Sequence, residues 1–329
     1  MRYRLLLAGL SALVALLFAV SLLVGPAALG LTESLSALFR GQGEAVVLVM
    51  REIRLPRAIL ALMVGGVLGL SGAAMQGFLR NPLAEPGLVG VSSSAALGAV
   101  IALQTGIAAS FTLALPLSAL AGAALSVVLI VALAGPRGGA LALILAGIAI
   151  SALAGAGVAL VLNLSPNPFA AAEIVFWMMG SLADRSMTHV ALAVPFMLAG
   201  AALLLMLGRG LDALTLGEDA AESLGVRLGR LRMVVILGTA LSVGAAVAVA
   251  GTVGFVGLVV PHILRPLVGA RPSRLLPAAA LGGAAMLLAA DIAVRVIAPD
   301  RDLKLGVLTA LVGAPFFLHL IWRMRRLEA

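Results

Sequence analysis

The chain has 329 residues, of which 62% are hydrophobic and 11% charged, with a mean hydropathy of +1.19. Ordinary soluble domains carry about 25% charged residues, so this composition cannot build a water-facing surface, and its hydrophobicity equally excludes disorder. The chain has no cysteine, which removes disulfides, thiolate metal sites and a cysteine nucleophile. The formal charge of +8 fits a membrane protein that keeps Lys and Arg in its cytoplasmic loops, and no nucleic-acid partner is expected. The expectation is an all-α polytopic membrane protein forming one transmembrane domain over 1–329.

A helix crossing the hydrocarbon core needs about 20 mostly apolar residues. The first such segment runs from Leu5 to about Gly30 behind Arg2 and Arg4. It is longer than the apolar region of a signal peptide, so a membrane anchor is expected. Others follow at about 58–78, 91–106, 111–134, 140–162, 188–208, 233–250, 254–269, 275–298 and 305–322. Ten spans place both ends on one face. The segments at 91–106 and 254–269 are short, with Pro82, Pro86 and Pro261 near or inside them. Irregular backbone at membrane depth persists only where protein or a water-filled cavity satisfies its polar groups, so these two segments point to a pathway.

With ten spans, 14 of the 22 basic residues fall on the face that holds both ends, which makes that face cytoplasmic. Eight remain for the opposite face and need another explanation. Small residues recur in the second span (Gly65, Gly66, Gly69, Gly72) and the fifth (Ala146, Gly147, Ala154, Gly155, Gly157), which predicts close helix packing within one bundle.

No phosphate-binding GxxxxGK[ST] loop, HExxH or GxSxG occurs, so neither ATP hydrolysis nor metalloprotease or serine-hydrolase chemistry is expected. His189, His262 and His319 stand far apart and read as structural residues, with no metal or cofactor expected on this chain. Asp291 lies inside the ninth segment, where an ionisable group is costly. A charge pair with Arg295, four residues on, is the simpler account, and a proton carrier the other.

The longest hydrophilic stretch on the cytoplasmic side runs from Arg209 to Arg232. Thr215 and Glu218 have the spacing of a capping box, and Glu218 and Asp219 suit a helix's first turn. Leu216, Ala220 and Leu224 repeat at i, i+4 and i+8, and Gly225 supplies a stop. The prediction is a short amphipathic helix at about 215–225, resting on its own bundle or lipid, or docking into a soluble partner. On the opposite face, Arg54 and Arg57 flank Pro56 at the start of the second span. Cations are disfavoured there by the helix dipole. They read either as anchors to lipid headgroups or as contacts for an acidic partner.

The stretch RLPRAILALMVGGVLGLSGAAMQGFLRNPLAEPGLVGVSSSAA at 54–96 closely resembles the second and third spans of the FecCD-type permeases of type II ABC importers, which import iron chelates, haem and vitamin B12. LTLGEDAAESLGV at 214–226, GFVGLVVPHILRPLVG at 254–269 and GVLTALVGAPFF at 306–317 resemble further blocks of that family in order. The chain departs from it at Ser92–Ala96, at Gly138–Leu141 and at Asp302–Gly306. The resemblance implies a homodimeric inner-membrane permease. Two copies of an ATPase, which bind ATP and Mg, would sit below it, a periplasmic substrate-binding protein above it, and membrane lipid around it. It assigns Arg54, Arg57 and Arg295 to binding-protein docking. Asn81, Pro82 and Leu83, with Gly138, Gly139, Ala140 and Leu141, fall to a cytoplasmic gate. Leu216, Glu218, Ala220, Ala221, Leu224 and Gly225 fall to ATPase coupling. The block SPNPFAAAEIVFWMMGSLADRS at 165–186 is most like the haem-import branch, with ferric siderophores and cobalamin as the other cargoes. An ion-coupled secondary transporter is the alternative from another class.

Overall fold

The computed structural model describes residues 2–25, 27, 29–135, 139–166, 168–298 and 303–328, and every regular element among them is a helix. In chain order these are α1 (Arg2–Leu23), α2 (Leu31–Arg40), α3 (Glu44–Leu48), α4 (Leu55–Phe78), α5 (Val91–Gln104), α6 (Ala114–Ala134), α7 (Ala140–Asn163) and α8 (Pro168–Met178). Then come α9 (Met187–Leu205), α10 (Gly208–Leu214), α11 (Glu218–Ser223), α12 (Leu228–Ala250), α13 (Val256–Leu264), α14 (Pro272–Ile297) and α15 (Leu305–Glu328).

Each of the ten expected apolar segments contains one helix, and seven helices among the described residues are long and apolar enough to cross a membrane. The two segments expected to be short are so: α5 has 14 residues and α13 has 9. The first span ends at Leu23 rather than near Gly30, and α2, α3 and α8 lie outside the ten segments. Pro56 stands in the first turn of α4, as expected, and a π turn over Val49–Arg54 joins α3 to α4, so that the helical stretch runs unbroken from Glu44 to Phe78. The widened turn makes room for a ring that would otherwise strike the carbonyl of the preceding turn.

Two helices form the centre. The apolar windows of Glu44–Phe78 and Leu228–Ala250 are 78% buried within the protein, against 28% for α6 and α7 and 11% for α1. Lipid offers no hydrophobic drive for helix association, so the centre goes to the helices whose backbones can approach closely. On α4, a methyl added at Gly65 or Gly69 would collide with the α14 backbone at Gly283 or Ala279. Gly72 meets Gly257 of α13 in the same way. The outer helices turn large residues such as Leu125, Leu133, Leu145 and Leu153 outwards.

Candidate functional site

Three places gather the polar chemistry: the hydrophilic module at the face bearing the N-terminus (the near face), a partly open pocket, and a charge cluster at the opposite, far face. The near-face module is α10 and α11. The expected capping box does not form, because Thr215 closes α10 with its hydroxyl on the Asp212 carbonyl (2.6 Å), and Gly217, at φ 108°, becomes the N-cap of α11. A threonine cannot serve two helix ends at once, and the nearer carbonyl takes it. The stop at Gly225 does form. Its φ is 84°, its amide donates to Glu222 (2.8 Å), and the Val226 amide donates to Ala221 (3.0 Å), the paired bonds of a left-handed C-terminal cap.

The predicted stripe divides. Ala221 is fully buried and Ala220 half-buried, while Leu216 and Leu224 are 69% and 65% exposed at the two ends of α11. Glu218 stands 4.0 Å from Arg80. Asp212 ties the module to the bundle by accepting from both the amide (2.8 Å) and the hydroxyl (2.6 Å) of Ser273, so that it caps α14 from another helix.

The two loops that the resemblance assigns to a gate lie at helix ends on this same face. Asn81 follows α4, is exposed, and accepts from the Leu83 amide (2.9 Å), with Pro82 and Leu83 half-buried. Gly139 and Leu141 are exposed at the start of α7 and Ala140 is half-buried, while Gly138 lies outside the described residues. Beyond Leu83 the chain turns back into the bundle. A 3-10 turn at Pro86–Val89 packs between Gly147 of α7 and Gly257 of α13.

There it meets the other broken segment. After α12 the backbone is irregular from Gly251 to Gly254, Phe255 takes a left-handed conformation (φ 68°), and Glu85 accepts from its amide (2.9 Å). The two irregular stretches border a partly open pocket of about 150 Å³ lined in part by Val64, Leu68, Glu85, Ser92, Val247 and Thr252. A carboxylate at the start of α13 answers amides that lipid could not satisfy. Nearby, Gln76 and Arg265 join α4 to α13 (2.6 Å), and Phe255 fills the space that Gly313 leaves on α15.

At the far face, Asp291 is fully buried between two guanidiniums. Arg57 reaches its carboxylate at 2.8 Å and Arg295 at 2.8 Å. The expected pair with Arg295 is present, and Arg57 is added from α4. Arg295 also donates to the carbonyls of Ser21 (2.8 Å) and Val24 (2.7 Å), and Arg54 to those of Leu22 (3.0 Å) and Leu23 (2.9 Å). The carbonyls at the end of α1 have no partners within their own helix, and two arginines supply them.

Arg54, Arg57 and Arg295, which the resemblance assigns to binding-protein docking, are thus engaged within the chain itself. Arg54 is 4% exposed, and the side chains of Arg57 and Arg295 are 18% and 7% exposed. Other members of the unexplained eight behave alike. Arg51 donates to Leu38 at the end of α2 (2.8 Å) and Arg185 to Val249 at the end of α12 (2.6 Å), while the Lys304 ammonium lies 5.4 Å from the Phe176 ring centre. The histidines are dispersed: His189 pairs with Ser186 (3.0 Å), His262 meets Phe316 edge-on, and His319 lies beside Trp322.

Sequence reasoning passed over Glu85, Asp212, Arg185 and Phe255. Glu85 carried a signal, since an acid between an apolar segment and a proline turn is costly in a membrane. Asp212 carried none, because its partner is 61 residues away.

An all-helical bundle with a polar module at one end, broken helices around a partly open pocket and a clamped charge cluster at the other defines a membrane permease. The chain belongs to the FecCD transport family, which matches residues 13–323. It is 39% identical over 319 residues to the hemin transport system permease protein HmuU of Yersinia pestis, covering 94% of each chain. It is also 39% identical over 324 residues to the ferric enterobactin transport system permease protein FepD of Escherichia coli (strain K12), covering 97% of this chain and 95% of that one. Among solved structures, a candidate metal-chelate-type ABC transporter in an inward-facing conformation superposes with a TM-score of 0.86 at 34% identity, over 96% of this chain and 98% of that chain. The protein is thus a multi-pass inner-membrane permease of the ABC importer class.

Proposed function

We propose that the chain is the membrane subunit of an importer that carries haem, or another iron chelate, from periplasm to cytoplasm. The observation that carries this reading is the 39% identity to a hemin permease over 94% of both chains. The equal identity to a ferric enterobactin permease keeps ferric siderophores as the second cargo. Two copies of the chain line the pathway, two ATPase subunits dock at the near face, and a binding protein delivers cargo at the far face. This chain holds no cofactor, and ATP and Mg reside on the ATPase.

Leu216 and Leu224 offer exposed apolar anchors for the ATPase, and α11 rides on the buried Ala221. ATPase closure moves α10 and α11 together, and the Asp212–Ser273 bonds pass that motion to the start of α14. Rigid-body motion of the bundles then switches access between the faces. The loops at Asn81–Leu83 and Gly138–Leu141 act as the cytoplasmic gate. Arg57, the most accessible of the far-face trio, is the one best placed for a binding-protein carboxylate, with Arg54 and Arg295 holding the surface from below.

The test is uptake into proteoliposomes holding the permease with its cognate ATPase and binding protein. Haem should accumulate only with Mg-ATP. Preference for a ferric siderophore or cobalamin would replace the cargo, and uptake driven by an ion gradient without the ATPase would overturn the mechanism.

A further inference from the structure

Where α9 ends and α12 begins, the two helices diverge at the near face. Their inner halves are in tight contact, since Gly200 leaves no room for a methyl against Ser242 and Gly238 of α12. Towards the near face an open groove of about 310 Å³ separates them, with Leu203 and Leu207 on one wall and Leu231 and Val234 on the other. Gly210 of α10 also lines it, and a methyl there would stand 2.8 Å from the Leu231 side chain. Arg227 and Arg230 form part of its lining and are exposed, and among the described residues neither is paired with an acid.

The placement of these arginines is electrostatically costly by itself. Arg227 is the N-cap of α12, Arg230 lies in the first turn, and that turn contains no acid. The positive end of a 23-residue helix disfavours both charges. An anion between them removes the conflict. The apolar groove running inward from the two guanidiniums matches a molecule with an anionic head and a hydrocarbon tail.

We infer that this groove binds an anionic phospholipid of the cytoplasmic leaflet, its phosphate between Arg227 and Arg230 and one acyl chain along Leu203, Leu207, Leu231 and Val234. Basic pockets between helices on the cytoplasmic side suit such headgroups. The groove adjoins Val226, the residue that terminates the α11 cap, so the lipid would brace the root of the near-face module. The site is a property of this chain alone and stands whatever the cargo is.

The test uses the full chain purified in mild detergent, with native mass spectrometry reading retained phosphatidylglycerol and a thermal melt reading stabilisation by phosphatidylglycerol against phosphatidylcholine. Each surface arginine contributes about fivefold in affinity for an anionic lipid, so R227Q/R230Q should lower retention on the order of 30-fold. It should also abolish the difference between the two lipids. The R4Q/R271Q variant removes two exposed arginines elsewhere on the same face and should retain lipid as the wild type does. Equal losses in the two variants would mean a general surface charge effect and overturn the site. So would equal stabilisation by soluble glycerol phosphate, or an R227Q/R230Q variant that retains lipid normally. Absence of lipid from the free chain, with the groove shielded only when the ATPase binds, would likewise overturn it in favour of a protein contact.

Discussion

The two ends of the bundle use most of their arginines in opposite ways. At the far face, one basic residue of the seven described, Arg40, is exposed, and the guanidiniums of Arg51, Arg54, Arg185 and Arg295 all donate to carbonyls at helix ends. At the near face, Arg2, Arg4, Arg80, Arg209, Arg227, Arg230, Arg271 and Arg274 are exposed, whereas Arg232 is buried and donates to Gly135 at the end of α6 (3.2 Å) and Arg265 is half-buried against Gln76. The difference lies in what the backbone needs. At the far face, α1 and α12 end inside protein, where water does not reach their last carbonyls, and a guanidinium with five fixed donors can serve several of them. A single buried Asp291 among three arginines is tolerable because the negative ends of helix dipoles supply the remaining counter-charge. A sum of positive charges by face, which fixes orientation, cannot see this distinction.

The comparison breaks most sharply at Asp291. D291N leaves Arg57 and Arg295 buried without their carboxylate, and removing one member of a buried ion pair costs about 3–5 kcal/mol. We expect a large fall in thermal stability in detergent, with increased protease access at the end of α1. Replacing Asp291, Arg57 and Arg295 together with apolar residues of similar size should recover only the part of the loss that comes from unpaired charge, because the Ser21 and Val24 carbonyls then lose Arg295. An unchanged melting temperature in D291N would mean that the cluster is not the clamp described. For the same reason, charge reversal at Arg54 disturbs the α1 anchor and charge reversal at Arg57 the Asp291 pair, so a docking experiment at either is read beside the melting temperature of the free chain.

At the near face the expected effect moves from folding to assembly. L216D/L224D places charges at positions 69% and 65% exposed, so the melting temperature of the free chain should stay close to the wild type. If these leucines seat in the ATPase, burying an unpaired charge there weakens association by about 2–5 kcal/mol. Co-purification with the ATPase is the readout, and full retention would remove the two leucines as anchors.

The smallest effect belongs to Arg80 and Glu218, whose side chains are each 49% exposed and 4.0 Å apart. Solvent screening limits such a pair to about 0–1 kcal/mol. A double-mutant cycle of R80A and E218A on stability should give a coupling within that range that fades with salt. A coupling of several kcal/mol would show that the near face clamps its arginines as the far face does.

Much of the site was legible in the sequence because it is local. Gly225 stops α11 as its position predicts, since a left-handed residue after a helix favours glycine whatever surrounds it. The Asp291–Arg295 pair follows from a four-residue spacing on one helix. The capping box failed where two local solutions competed: Thr215 had one hydroxyl, and α10, which sequence reading did not separate from α11, claimed it.

By itself the sequence determined that this protein lives in a membrane, that its segments are helices, that two of them are short, and to which family it belongs. These follow from composition, run length and local motifs, which are properties of neighbours along the chain. Tertiary structure alone decided that the end of α1 is held by arginines of the π turn before α4 and of α14, that Asp212 caps a helix 61 residues away, and that Glu85 answers the broken start of α13 170 residues on. The reason is physical: a helix end buried away from water must find partners wherever the fold brings them, and no spacing along the chain records which residue will arrive.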